Sequence, residues 1–273
     1  MSRLRDVIRS VNQSGTKALG VFVTAGYPTM EDTLPILDAI DSGGADFLEL
    51  GMPFSDPLAE GLPIQMSSAI ALRNGVTMDF SFKTAAAFSA KSMTPIVLMG
   101  YVNPILQYGI SNFFARCQSS GVDAVILPDY PVHSKLPIRE EAHKFNVDLV
   151  HLVAPTTVAE RVRIIDELSG GFVYAVSMTG LTGTAMPDRE IVKTYLESVK
   201  EMCPNNPVLV GFGISSADDV RELSGAADGC IVGSAVIKKI EQLWSDSSLE
   251  VPSRFQILSN FISELKSGTE SNS

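Results

Sequence analysis

The chain is poor in the residues that build disulfide frameworks, metal centres and nucleic-acid surfaces. Of its 273 residues only three are cysteine, Cys117, Cys203 and Cys230, and three are histidine, His133, His143 and His151. The cysteines are odd in number, far apart and without a C-x-x-C pair, which argues against both a disulfide scaffold and a zinc site. Lysine and arginine total 21 against 31 aspartates and glutamates, a formal net charge of -10, and no basic patch interrupts the sequence. Nucleic acid and anionic membrane are therefore poor partners, and an anionic ligand would have to be held by backbone groups. No apolar run approaches the roughly 20 residues needed to span a bilayer. The opening MSRLRDVIRSVNQSG lacks the apolar centre of a signal peptide and reads as a short amphipathic helix on a cytosolic protein.

What the sequence does have is a set of short apolar runs. They fall at 18–25, 46–50, 95–100, 123–128, 148–153, 172–177, 207–213 and 228–234. Most are continuously apolar rather than alternating, as strands of a parallel sheet buried on both faces should be. Between them lie stretches of helical period such as TMEDTLPILDAIDSGG, SNFFARCQSSGV and SSADDVRELSGA, several closing on glycine. Eight strand and helix repeats point to an α/β fold, a closed (β/α)8 TIM barrel with an extra N-terminal helix. A doubly wound open sheet is the lesser alternative. No linker divides the chain, so residues 1–265 read as one domain and the polar end KSGTESNS, 266–273, as a disordered tail.

Two sets of residues carry chemistry. The first is the carboxylate Glu49, within FLELG at the end of the second apolar run, followed after PFSDPLAEG by Glu60. Barrel active sites lie at the C-terminal ends of the strands. Glu49 has only apolar neighbours in sequence, and a desolvated carboxylate has the raised pKa that proton transfer near neutral pH requires. The ordinary alternative is a carboxylate satisfied by backbone donors. The second set is three glycine turns at consecutive strand ends, TGLTG at 179–183, GFGISS from Gly211 and GSAVIK from Gly233. Glycines admit close approach of an anion, and the helices that follow aim free N–H groups at it. Any one such turn needs no ligand, but three on adjacent strands suggest a phosphate cradle.

Taken in order, GVFVTAGYP, LELG with PFSDPLAEG, LMGYVNPILQYG, LPDYP, TGLTG, GFGISS and GSAVIK resemble the alpha subunit of tryptophan synthase, from about Phe22 to about Ile240. The resemblance implies a (β/α)8 barrel and the retro-aldol cleavage of indole-3-glycerol phosphate to indole and glyceraldehyde 3-phosphate. It implies no metal or organic cofactor in this subunit, and a cytoplasmic, allosteric alpha2-beta2 heterotetramer whose beta subunit carries pyridoxal phosphate. By the same resemblance Glu49 is the acid/base at indole C3, Glu60 accepts the indole N–H, and Tyr174 lies close to the reacting chain. Phe22, Tyr101, Leu127 and Phe212 would line the indole pocket, although ordinary packing is the better account of Leu127. Thr182 belongs to a lid, Gly183, Gly213, Gly233 and Ser234 to the phosphate cradle, and Asp56, Pro57, Asn103 and Pro104 to loops that face the beta subunit.

Three features depart from the family's usual pattern at the mouth. Glu60 stands where the resemblance implies aspartate, Met178 where it implies arginine, and the lid from Gly183 to Pro187 is short. They motivate an alternative expectation, a catalytically impaired subunit acting mainly as an activator of its partner. An unrelated phosphate-binding barrel fits poorly with PFSDPLAEG following LELG.

Overall fold

In a computed structural model of the chain, residues 2–57, 60–176, 189–211 and 213–270 are described. Helix α1 (Arg3–Gln13) precedes strand β1 (Ala18–Thr24), and α2 (Thr33–Ser42) leads into β2 (Phe47–Gly51). Helices α3 (Leu62–Arg73) and α4 (Met78–Ser89) come before β3 (Ile96–Met99), and α5 (Val102–Tyr108) and α6 (Ile110–Ser119) before β4 (Ala124–Ile126). Single helices then alternate with strands: α7 (Ile138–Lys144), β5 (Asp148–Val153), α8 (Ala159–Leu168), β6 (Val173–Val176), α9 (Arg189–Met202), β7 (Val208–Gly211), α10 (Ala217–Gly225) and β8 (Gly229–Val232). Helices α11 (Ser234–Ser245) and α12 (Val251–Ser267) close the order.

The eight strands pair in sequence order, all parallel, and β8 returns to β1, so the sheet is a closed barrel. The open-sheet alternative is excluded. Strands β1 to β4, β7 and β8 are buried at every position, with helices outside and side chains inside, which is why their sequences read as unbroken apolar runs. Most of the observed strands are shorter than the apolar runs. The residues left over at the C-terminal ends lead into the barrel mouth: Gly100, whose N–H still donates to the Ile126 carbonyl of β4 at 3.1 Å, Leu127 and Pro128, Gly213, Gly233, and Ser234, which opens α11.

The two ends of the chain close the opposite, N-terminal side. Leu4 and Ile8 of α1 are fully buried. Arg3 makes a two-pronged pair with Asp123 at 2.7 Å, and Ser2 donates to Asp148, fixing the helix beneath β4 and β5. Residues 266–270 are not a loose tail. Lys266 pairs with Asp46 at 2.5 Å, the Lys17 N–H donates to the Thr269 carbonyl at 3.0 Å, and Thr16 bridges to Glu270. Gly268 packs so tightly that a Cβ there would lie 2.2 Å from the Ala217 carbonyl oxygen. The polar composition of this segment concealed its pairing because the contacts are made mainly by its backbone and by one lysine; residues 271–273 of the expected tail lie outside the described residues.

Candidate active site

At the C-terminal end of the barrel a cavity of about 610 Å³ brings together Phe22 from β1, Glu49 from β2, Glu60, Tyr174 from β6, and the turns at Gly213 and at Gly233 and Ser234. Parallel pairing makes this convergence obligatory. Phe22 and Glu49 are register partners on adjacent strands, and the barrel brings β6, β7 and β8 around to face them. The backbone at Gly211 lies under Tyr174, where a Cβ would come within 2.0 Å of the phenol oxygen. Only glycine leaves that hydroxyl room in the site.

Glu49 is 1% exposed, and its Oε1 has no hydrogen-bond partner among the described residues. Burial pushes its pKa up to about 8. Glu60 is 6% exposed; burial pushes it up to about 7, against a hydrogen bond from the Tyr101 hydroxyl that pulls it down. A second anchor holds its main chain, since Gln65 Nε2 on α3 donates to the Glu60 carbonyl at 2.8 Å. Tyr174 is buried, and desolvation followed by the nearby carboxylates holds its phenol well above the ordinary range. At neutral pH the site thus presents one carboxylic acid, one carboxyl balanced between its two forms, and a neutral phenol.

The glycine turns face these groups from β7 and β8. Gly213 has φ +76, a left-handed conformation that suits glycine and turns the chain toward α10. Ser216 caps α10 by accepting from the Asp219 N–H, and the Asp219 carboxylate accepts from the Ser215 and Ser216 N–H groups. Helix α11 has no side-chain cap; its first intrahelical bond runs from the Ile237 N–H to the Gly233 carbonyl at 3.0 Å. The N–H groups of Ser234, Ala235 and Val236 remain without partners among the described residues, the usual state of a helix N-terminus that can receive an anion.

The other expected residues fall at several places. Tyr101, 3% exposed, reaches the site through Glu60 and stacks on Phe54 with ring centroids 5.0 Å apart. Leu127 is buried just past β4 and lines a second cavity, of about 200 Å³, with Tyr130 and His151. Asp56 and Asn103 are exposed and Pro57 and Pro104 half-buried at the same rim. Asn103 and Pro104, expected in a loop, instead occupy the first turn of α5, whose Val102 N–H is met by both Asp129 carboxylate oxygens at 3.1 Å. Thr182, Gly183, Phe212 and Met178, with the lid, lie outside the described residues. Two cations were missed: Lys238 and Lys239 of α11 line the cavity. Their signal was the spacing, since Lys238 follows Ser234, and Lys239 follows Ala235, by one helical turn.

A closed parallel barrel with a pair of buried carboxyls of raised pKa in the cavity at its C-terminal mouth is the architecture of a (β/α)8 enzyme. A family model described as tryptophan synthase alpha chain matches residues 8–266. Tryptophan synthase alpha chains from Thermoanaerobacter sp. (strain X514) and Christiangramia forsetii are 38% identical over 266 residues and 40% identical over 233 residues. The first alignment covers 97% of this chain and 99% of the relative, the second 84% and 90%. The crystal structure of tryptophan synthase subunit alpha from Legionella pneumophila str. Paris superposes with a TM-score of 0.89 at 29% identity, covering 98% of each chain. This chain belongs to the tryptophan synthase alpha chain family.

Proposed function

We propose that Glu49 and Glu60 divide the proton transfers by which this chain, a carbon–carbon lyase of tryptophan biosynthesis, cleaves indole-3-glycerol phosphate to indole and glyceraldehyde 3-phosphate. The observation that carries the assignment is the pair of buried carboxyls with raised pKa facing the first turn of α11 and the Gly213 turn across one cavity. Glu49, protonated at neutral pH, delivers its proton to indole C3, which makes the ring electron-poor and weakens the bond to the glycerol chain. Glu60 in its ionised form accepts the indole N–H and favours the positive charge that develops there. The bond then breaks as the side-chain hydroxyl becomes an aldehyde; the hydroxyl proton returns to the Glu49 carboxylate, so the site ends as it began. Phe22 and Tyr174 bound the indole, and Gly213, Gly233 and Ser234 hold the phosphate by N–H groups.

The partner is a pyridoxal-phosphate beta subunit in an alpha2-beta2 complex in the cytoplasm, docked through the rim that carries Asp56, Pro57, Asn103 and Pro104. No finding favours an impaired subunit. Two of the features behind that expectation, Met178 and the short lid, lie outside the described residues, and the third, Glu60, is buried in the same cavity as Glu49. Indole release from indole-3-glycerol phosphate tests the reading. Glu49→Gln, close in shape but unable to titrate, is expected to lower turnover about 100-fold or more. Full indole production by that variant would make Glu49 structural.

A further inference from the structure

The phosphate end of the cavity presents an electrostatic problem. A phosphate dianion is to enter a chain of net charge -10 whose cavity already holds two carboxyls. Backbone N–H groups offer only partial charge, and each proton lost by Glu49 or Glu60 adds repulsion. The basic side chains lining the cavity are Lys238 and Lys239. They differ in commitment. The Lys239 ammonium lies 5.6 Å from the centre of the Phe261 ring, a cation–π contact with α12. Lys238 is exposed and has neither an ion-pair nor a hydrogen-bond partner among the described residues. Side chains on a helix lean toward its N-terminus, and Lys238 stands one turn after Ser234. Lys238 thus shares the cavity wall with Ser234 and Ala235, whose N–H groups have no partner among the described residues.

We propose that Lys238 is a substrate-binding residue that supplies the full positive charge for the phosphate, closing over an anion whose other oxygens are held by the first turn of α11. The proposal rests on the reading of this cavity as the phosphate site and adds to it a residue whose contribution is charge rather than shape. An exposed lysine suits that task, because a mobile ammonium can follow the phosphate in and release it with the product. The interaction is between charges at the edge of solvent, so salt should screen it while leaving the backbone contacts nearly untouched.

The test is calorimetric titration of the full chain with inorganic phosphate, at low and high ionic strength, for the wild type, Lys238→Met and Lys238→Arg. Wild-type affinity is expected to fall as salt rises. Lys238→Met should bind phosphate roughly five-fold more weakly at low salt and lose most of the salt dependence. Lys238→Arg should restore both. In the lyase assay the loss in Lys238→Met should fall on KM for indole-3-glycerol phosphate more than on kcat, with an unchanged melting temperature confirming that the fold is intact. Wild-type phosphate affinity and salt dependence in Lys238→Met would overturn the proposal while leaving the phosphate site standing. Failure of the wild type itself to bind phosphate would overturn the site reading, and the proposal with it.

Discussion

At the scale of a residue, burial makes Glu49 a stability liability at neutral pH. Its carboxyl gives up its proton near 4.5 in the unfolded chain but only at about 8 when buried. Between those values the folded chain holds one more proton than the unfolded chain, so the stability Glu49 contributes is full below pH 4.5 and declines as pH rises to about 8. The loss is on the order of a few kcal/mol. Glutamine has no proton to lose, so the melting temperature of Glu49→Gln should gain on the wild type steadily from pH 5 to pH 8 and hold a constant lead above that. A difference independent of pH would show that Glu49 ionises as freely in the fold as in water. His151 acts in the opposite sense. Burial lowers it to about 4, so its contribution is lost as pH falls from 6.5 toward 4. It is present in both proteins and cancels from the comparison.

At the scale of elements, the strands were legible because burial on both faces leaves little room for polar residues; each of the eight apolar runs coincides with one strand, with β2 reaching one residue past its run to Gly51. Their ends were less legible. DAVILP does not reveal that β4 ends at Ile126, before Leu127 and Pro128, since an apolar residue suits a strand and a buried loop equally. The C-terminal segment was misread for a related reason: Thr269 is buried through a carbonyl that accepts from Lys17, and a backbone contact leaves no mark on composition. Removing residues 266–273 deletes that bond, the Lys266–Asp46 pair and the packing of Gly268 against α10. The expected cost is about 2–4 kcal/mol, or roughly 5–10 °C in melting temperature for a chain of this size. Thermal melts of the truncated and full chains decide it, and coincident curves would return the segment to the status of a loose tail.

At the scale of the whole molecule, the barrel separates its duties between two ends. Helix α1 and residues 266–270 close the N-terminal side, while the carboxyls, the glycine turns and the rim open on the other. The rim touches the chemistry by a short route: Phe54, two residues before Asp56, stacks on Tyr101, whose hydroxyl reaches Glu60. A partner docked there is within two side chains of the acid–base pair. Serine-plus-indole synthesis by the beta subunit, titrated with this chain, is expected to show stimulation. Asp56→Arg should raise the concentration needed for half-maximal effect by about ten-fold, because a reversed rim charge costs on the order of 1–2 kcal/mol in association. Equal titration curves would move the docking surface elsewhere.

By itself the sequence determined the class of fold and the identity of the acid–base candidates. Eight doubly buried strands have a period and a length that few architectures accommodate, and a carboxylate among apolar neighbours is too costly to be accidental. The turns at Gly213 and Gly233 were equally visible, since a left-handed φ at the first and close packing against Phe22 at the second favour glycine. Tertiary structure alone decided what those residues meet. Glu60 gains its partner from Tyr101, 41 positions away in the chain, and the Tyr174 hydroxyl finds room only over Gly211 on the next strand. Lys238 enters the cavity because closure of β8 onto β1 sets the first turn of α11 beside Phe22. Local sequence fixes a residue's character and its face; distance between segments is fixed by barrel closure, and proton transfer and charge pairing depend on that distance.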